Sequence, residues 1–325
     1  MSKPTRDESL TRKPIRAKLI FNTIAGQPQQ SPHQLTELLT ELQKQHIMPE
    51  VFIVQPDSRV ESVVRRAIKD GTKLIVVAGG DGTVESVASA MVGAPVRLGI
   101  IPTGTHNNMA LNLGIPSNIP EAVNLLRTGT PVKIDAGELT IGRARRWFVE
   151  VLTLGLWSDL ISAAGENQHG DISKVGELFS TLVASSPFNV RLLLDGHEKV
   201  EAAAHVVLVA NMPYIGPNVQ VDPQVSFKDG LLDVFLFSDM SKLNLISYAL
   251  RYIGGGSENG AIPHYRAKRL AIASTPPAAI MADGVTLGAG PLKVKLHRRA
   301  LTIMAGSTRG RGPKRSEVAQ LKQTI

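Results

Sequence analysis

Cysteine is missing from all 325 residues, which excludes disulfides, thiolate metal sites and a cysteine nucleophile. Aromatic residues are only 4% of the chain and two are tryptophan. Long apolar runs are also missing: Leu74–Ala78 and Val206–Ala210 are among the longest, far short of a bilayer span. The opening MSKPTRDESLTRKPIRAK has no apolar core of a signal peptide, so a cytoplasmic location is expected. The charge of +8 is not spread along the chain. Residues 1–18 and 305–325 hold eleven of the 36 basic and three of the 28 acidic residues, leaving 25 of each sign between them. A body balanced in this way, with two tryptophans, argues against nucleic-acid binding. The tails read as disordered, solubilising ends. They also offer peripheral contact with anionic lipid, at roughly 1 kcal/mol per basic residue near the surface.

The chemistry begins in KLIVVAGGDGTVESVASAM, residues 73–91. Leu74–Ala78 is a β-branched run suited to a strand buried on both faces of a parallel sheet. It leads into Gly79-Gly80-Asp81-Gly82-Thr83, and Val84, Val87, Ala88 and Met91 then fall on one helical face. Strand, glycine turn and helix start aim backbone N–H groups and a helix dipole at an anion. Glycine permits close approach and positive φ. Asp81 would repel a phosphate unless a metal lies between them or a hydroxyl is being positioned. An ordinary tight turn with a solvated aspartate is the plainer reading.

Around this stretch, strands are expected at Lys18–Phe21, Val51–Val54 and Arg97–Ile101. Helices carry Leu35, Leu38, Leu39 and Leu42, and then Val60 to Ile68 closed by Gly71. The alternation implies a doubly wound parallel sheet. The strand at 97–101 ends in a second polar loop, Pro102 to Ala110, and two loops at carboxyl strand ends can share one crevice. Beyond about residue 136, short apolar runs dominate, among them Phe148–Leu154, Val190–Leu194, Leu232–Phe237, Leu292–Leu296 and Leu301–Ala305. Helical patterns interrupt them near 171–184 and 241–252. A β-rich sandwich domain is expected there, with the active cleft between the two domains.

AGGDGT followed by LGIIPTGTHNNMALNLGIP, with KIDAG (133–137), ANMPYIGP (210–217) and KDGLLDV (228–234), resembles the bacterial diacylglycerol and lipid kinases, relatives of the sphingosine kinases. The match runs over roughly residues 18–305. NAD kinases share the Gly-Gly-Asp-Gly turn, but their second, Asn-Glu-containing motif has no counterpart here. The resemblance implies a basic tail (1–17), a nucleotide-binding α/β domain (18–136), a β-rich lipid-substrate domain (137–305) whose last strand is free to return to the first, and a second basic tail (306–325). It implies ATP held by Gly79, Gly80, Asp81, Gly82, Thr83, Val84 and Glu85, with Asn22, Gly26, Thr105, Asn107 and Asn108 contributing. It places Mg²⁺ with Asp81, Asn108 and Asp135, and a structural metal with Asp229 and the backbone of Ser226 and Leu231. On residue type alone, Asp229-Gly230 is a turn. A homodimer follows only by analogy.

The departures from the family matter as much. Asn108 stands where the family has a third aspartate, keeping oxygen-donor capacity but losing charge. The family's late Asp-Gly-Glu, which carries the general base, is Asp283-Gly284-Val285 here, and valine accepts no proton. Asp283 and His106 are the substitutes in view. Three readings therefore follow. The first is a lipid kinase acting on a diacylglycerol-like hydroxyl, the second a silent nucleotide- or lipid-binding relative, and the third a kinase of a soluble substrate such as NAD. Trp157 reads as core more than acyl pocket, and His264-Tyr265 as a strand-entry pair more than a site.

Overall fold

The computed structural model describes residues 13–24, 31–156, 186–215, 220–238 and 262–306. Gly26, Trp157, the helices expected near 171–184 and 241–252, and the ends of both tails lie outside them. Chain contacts divide into two units, Met1–Lys133 with Leu301–Ile325, and Ile134–Ala300.

The first unit is built on parallel strands in the order β4-β3-β1-β2. These are β1 (Ile15–Asn22), β2 (Ile47–Val54), β3 (Leu74–Gly79) and β4 (Arg97–Pro102). Both β1 and β2 begin earlier than the apolar runs suggest, because ladder pairing continues from Ile15 opposite Ile47. Every residue of β3 is buried, as expected for an interior parallel strand. Helices α1 (Ser31–Lys44), α2 (Val60–Lys69) and α3 (Asp81–Met91) alternate with the strands, and α4 (Asn108–Asn112) and α5 (Ile119–Thr128) follow β4 in succession. Gly71, at φ 90°, follows the end of α2, a left-handed position that suits glycine. Asn118 caps α5 by accepting from the Glu121 N–H. Phe21 lies opposite Ala78, and Gly79 opposite Pro102, so the carboxyl ends of β1, β3 and β4 sit side by side.

The second unit is antiparallel and β-rich. It contains β5 (Thr130–Ile141), β6 (Ala144–Phe148), β7 (Val151–Gly155), β8 (Phe188–Leu194), β9 (Glu198–Ala210), β10 (Leu232–Ser238), β11 (His264–Ala267), β12 (Arg269–Thr275), β13 (Ala279–Ala282), β14 (Val285–Ala289) and β15 (Leu292–Ala305). The first half of β9 pairs with β8, and Val206–Ala210 pairs with β7 and β10. One long strand thus serves both layers of a sandwich around Leu152, Leu192, Val207, Val234, Leu270 and Val294.

Two apolar runs resolve differently from expectation. Phe148–Leu154 is not one strand, because β6 ends at Phe148 and β7 starts at Val151. The N–H groups in the break donate to a carboxylate instead of a ladder. Leu292–Leu296 and Leu301–Ala305 are not two strands but one, β15, which absorbs Arg299 at φ 52°. Its last five residues return to the first unit, with Thr302 and Ile303 pairing in parallel with Arg97 and Leu98.

Candidate active site

β3 delivers Gly79, Gly80 is the N-cap, and α3 starts at Asp81. Asp81, Gly82 and Thr83 are therefore helical, and the glycine stretch is tighter than a free loop. None of Gly79, Gly80 and Gly82 has positive φ. The need for glycine comes from close approach. A Cβ on Gly104 would stand 2.3 Å from the Gly80 Cα, and one on Gly79 would stand 2.9 Å from the Thr83 Cβ. A Cβ on Gly82 would meet nothing within 4 Å. The Asp81 and Gly82 N–H groups, at the start of an 11-residue helix, donate to no described residue, and such groups at a helix start favour an anion.

Asp81 is satisfied in a way the sequence did not suggest. Its carboxylate accepts from the N–H groups of Asn107 (3.0 Å) and Asn108 (2.7 Å), fastening the loop after β4 to the first turn of α3. Asn107, left-handed at φ 52°, closes that loop on itself. Its Nδ2 donates to the Gly104 carbonyl (2.6 Å), and its Oδ1 accepts from the Gly104 N–H (3.0 Å). Asn22 donates from Nδ2 to the Thr83 Oγ1 (2.8 Å), tying in the end of β1. Asn22, Gly79, Gly80, Asp81, Thr83, Gly104, Asn107 and Asn108 thus form one construction at three adjacent strand ends. Val84 is buried and offers backbone only. Glu85 is half-buried, whereas Thr105 and His106 are exposed.

Two side-chain oxygens in the loop after β4, Thr103 Oγ1 and Asn108 Oδ1, are buried with no hydrogen-bond partner among the described residues. Each Asp81 oxygen retains lone-pair capacity beyond its one amide. A hard cation with oxygen preference fits this donor set.

The second unit places its carboxylates differently. Asp135 is fully buried and accepts from the Gly230 N–H (2.8 Å) and the Arg299 N–H (2.7 Å). Each of its oxygens holds one main-chain N–H, fixing the turn before β10 and the kink in β15. Asn211, also buried, donates to the carbonyls of Asp135 (3.0 Å) and Val149 (2.6 Å). Asp283, considered as a substitute base, accepts from three consecutive N–H groups, Val149 (2.6 Å), Glu150 (2.9 Å) and Val151 (2.8 Å). It fixes the break between β6 and β7. Next to it, the Val285 side chain is 45% exposed at the start of β14.

Asp229 has a protein counter-ion. Its carboxylate contacts the Arg266 guanidinium and accepts from the Leu231 N–H (3.0 Å). Arg266 Nε also lies 3.2 Å from the Asp233 carboxylate, to which His264 Nε2 comes within 2.8 Å. Burial pushes the Asp233 carboxyl up from its ordinary 3.8, against the opposing pull of His264 and Arg266. His264 stacks on Phe235 at 4.4 Å, so it is more than a strand-entry residue. The Arg266 guanidinium thus lies against both carboxylates, where the resemblance places Asp229, with the backbone of Ser226 and Leu231, at a site for a structural metal. Among the described residues no cluster of three acidic, histidine or cysteine side chains offers one. Gly104, Arg266, Asp233 and Asn211 escaped the sequence reading. Arg266 lies 37 residues from its partner, with no local signal linking the two.

A doubly wound unit whose strand ends carry a glycine-built turn, followed by a β-sandwich, defines the fold class. The comparisons narrow it. Residues 16–139 match the diacylglycerol kinase catalytic domain and residues 168–305 the YegS C-terminal NAD kinase beta sandwich-like domain. A diacylglycerol kinase of Mycobacterium tuberculosis is 27% identical over 243 residues, 73% of this chain and 78% of the relative. An uncharacterized protein of Synechocystis sp. is 27% identical over 315 residues, 88% of this chain and 69% of the relative. A crystal structure of a diacylglycerol kinase from Bacillus anthracis shares the fold, with TM-score 0.73, 24% identity, and coverage of 91% of this chain and 99% of that one. The chain belongs to the bacterial diacylglycerol and lipid kinase family. Its fold also extends, at TM-score 0.53 and 12% identity over 96% of this chain and 100% of the other, to an NAD kinase of Archaeoglobus fulgidus solved with ATP.

Proposed function

We propose that this chain is an ATP- and Mg²⁺-dependent kinase that transfers the γ-phosphate to a hydroxyl of a diacylglycerol-like lipid. The observation that carries the reading is the Asp81 bridge, which fastens the polar loop after β4 to the first turn of α3, where N–H groups at a helix start suit an anion. The Asp81 and Gly82 N–H groups and the helix dipole face the phosphates, and the missing Cβ at Gly82 leaves room for them. Asp81 and Asn108 would hold magnesium, with Thr103 nearby in the chain. When bound, that ion supplies neutralisation of developing phosphate charge. Asp135 and Asp283 act as positioning residues, each holding main chain rather than a proton in transit. Phosphoryl transfer depends mainly on position and charge, so the reaction survives without a glutamate at 285. Its rate is reduced by the roughly 10²–10⁴-fold that a general base contributes.

Incubation with radiolabelled ATP, Mg²⁺ and a mixed lipid extract is expected to label a lipid, and Asp81→Ala to abolish the label. Absence of any labelled lipid at high enzyme concentration would refute the proposal. A second reading, a silent binding protein, draws on Asp283 being occupied by three amides and on Val285. It wins if Val285→Glu labels lipid and the parent chain does not.

A further inference from the structure

The balanced charge of the body hides an uneven distribution. Along β8, β9, β12 and β15 the side chains alternate between core and solvent. Cross-strand register shows which outward residues share a face. Arg191 opposes Glu201 and Leu193 opposes Lys199. Ala271 opposes Leu193 and Ala273 opposes Arg191. Arg269 opposes Lys295 and Ala271 opposes Lys293. Directly opposed residues point to the same side, so Arg191, Lys199, Arg269, Lys293 and Lys295 share one face of the second unit's sheet. The floor between them is the small or apolar Ala271, Ala273 and Leu193.

All five cations are exposed, and none is ion-paired with a described residue. The acids of this face are largely engaged. Glu138 is held by His297 (2.7 Å) and Arg145 (3.5 Å), and Asp195 Oδ1 accepts from the N–H groups of Lys268 (3.0 Å) and Arg269 (2.8 Å). Among the described residues only Glu201 faces the cations uncommitted. Four strands at the usual spacing make a patch about 15 Å across, in which cations on adjacent strands lie within about one Debye length of each other at physiological salt and so act together. The face is broad and shallow, with depressions of about 570 and 540 Å³ on it. Among the described residues no buried polar side chain lines it as an isolated phosphate site would require. At its border, the β5–β6 hairpin presents exposed Arg143, Arg145 and Arg146 beside half-buried Trp147.

We infer that this sheet face is a docking surface for an anionic membrane. A planar array of unpaired cations on a floor of small side chains complements a plane of lipid phosphates. It rests on the lipid-kinase reading only in giving the chain a reason to visit a bilayer. Attraction of about 1 kcal/mol per basic residue at an anionic surface is about fivefold in binding for each.

The full chain, without nucleotide, is sedimented with vesicles of phosphatidylcholine alone or containing about one-third phosphatidylglycerol. Binding is expected only to the second, with release at high salt. Lys293→Ser with Lys295→Ser should weaken it about 25-fold, with the unfolding temperature unchanged because both residues are exposed. Lys314→Ser with Arg315→Ser, an equal charge change in the tail, should leave it within a few-fold. A face variant that binds as tightly as the parent overturns the inference, as does a tail variant that loses equally. So does a parent chain that binds duplex DNA more tightly than the anionic vesicles at the same salt. Because no ATP is present, vesicle binding without lipid labelling would sink the kinase reading and leave the surface standing.

Discussion

Asp81 and Arg266 are each one residue deciding how a carboxylate is satisfied. Asp81 accepts two charge-assisted hydrogen bonds across two loops, worth roughly 1.5–3 kcal/mol each when removal strands the donors. Asp81→Ala should therefore lower the urea midpoint as well as eliminate transfer, and a variant inactive at parental stability would show that the bridge is not structural. Arg266 bridges Asp229 and Asp233. Replacing it by methionine leaves two like charges together, one of them buried, at roughly 2 kcal/mol. Without nucleotide, the parent's melting temperature is expected not to respond to Mg²⁺ or to chelator, whereas Arg266→Met melts lower and recovers in part with Mg²⁺. A saturable Mg²⁺ stabilisation of the parent, lost in Asp229→Asn, would reverse this assignment. Asp233 adds a pH signature. Its folded pKa is raised by burial, so its contribution is complete below the unfolded value near 3.8 and is lost as pH rises through the folded value. Asp233→Asn should flatten the stability profile across that rise, and profiles of equal slope would discount the residue.

At the scale of elements, α3 and the loop after β4 act as a pair whose fit is set by glycines. Gly104→Ala puts a methyl against the Gly80 backbone and should cost roughly 1–3 kcal/mol as overpacking. Gly82→Ala should separate stability from binding. Its Cβ meets nothing and helical alanine is favoured over glycine by about 0.5–1 kcal/mol. The chain should melt no lower, while ATP affinity by calorimetry falls because the methyl stands over the phosphate cradle. Unchanged affinity would move the phosphates elsewhere. Much of this pair was legible in the sequence. The buried run 74–78, the glycines and the helical spacing of Val84, Val87, Ala88 and Met91 located β3 and α3. The bond from Asp81 to Asn107 and Asn108 was not, since it spans 26 and 27 residues. Hydrophobic pattern also failed where polar groups diverted the main chain. Asp283 interrupts an apolar run by taking three of its N–H groups, and Arg299 sits inside β15 because Asp135 accepts its N–H.

For the molecule as a whole, local pattern predicted an alternating α/β part and a β-rich part, and both are present. The charge asymmetry was hidden because its five cations come from four strands spread over residues 191–295. Only the register between strands brings them together. Among the described residues no helix is long and apolar enough to cross a membrane. The first unit takes residues from both ends of the chain. Truncation after Ala300 removes the segment beside β4, including Ala305, whose carbonyl would lie 2.8 Å from a Cβ at Gly129. Such a truncation should destabilise the first unit while the second still melts cooperatively by calorimetry. A single unshifted first transition would show the returning strand to be dispensable.

That returning strand also sets an order of assembly. A ribosome makes residues 134–300 before Leu301–Ala305, so the first unit, begun earliest, is also the last to be completed. During that interval the edge of β4 is open to other nascent chains, a period in which chaperone binding would protect the protein most.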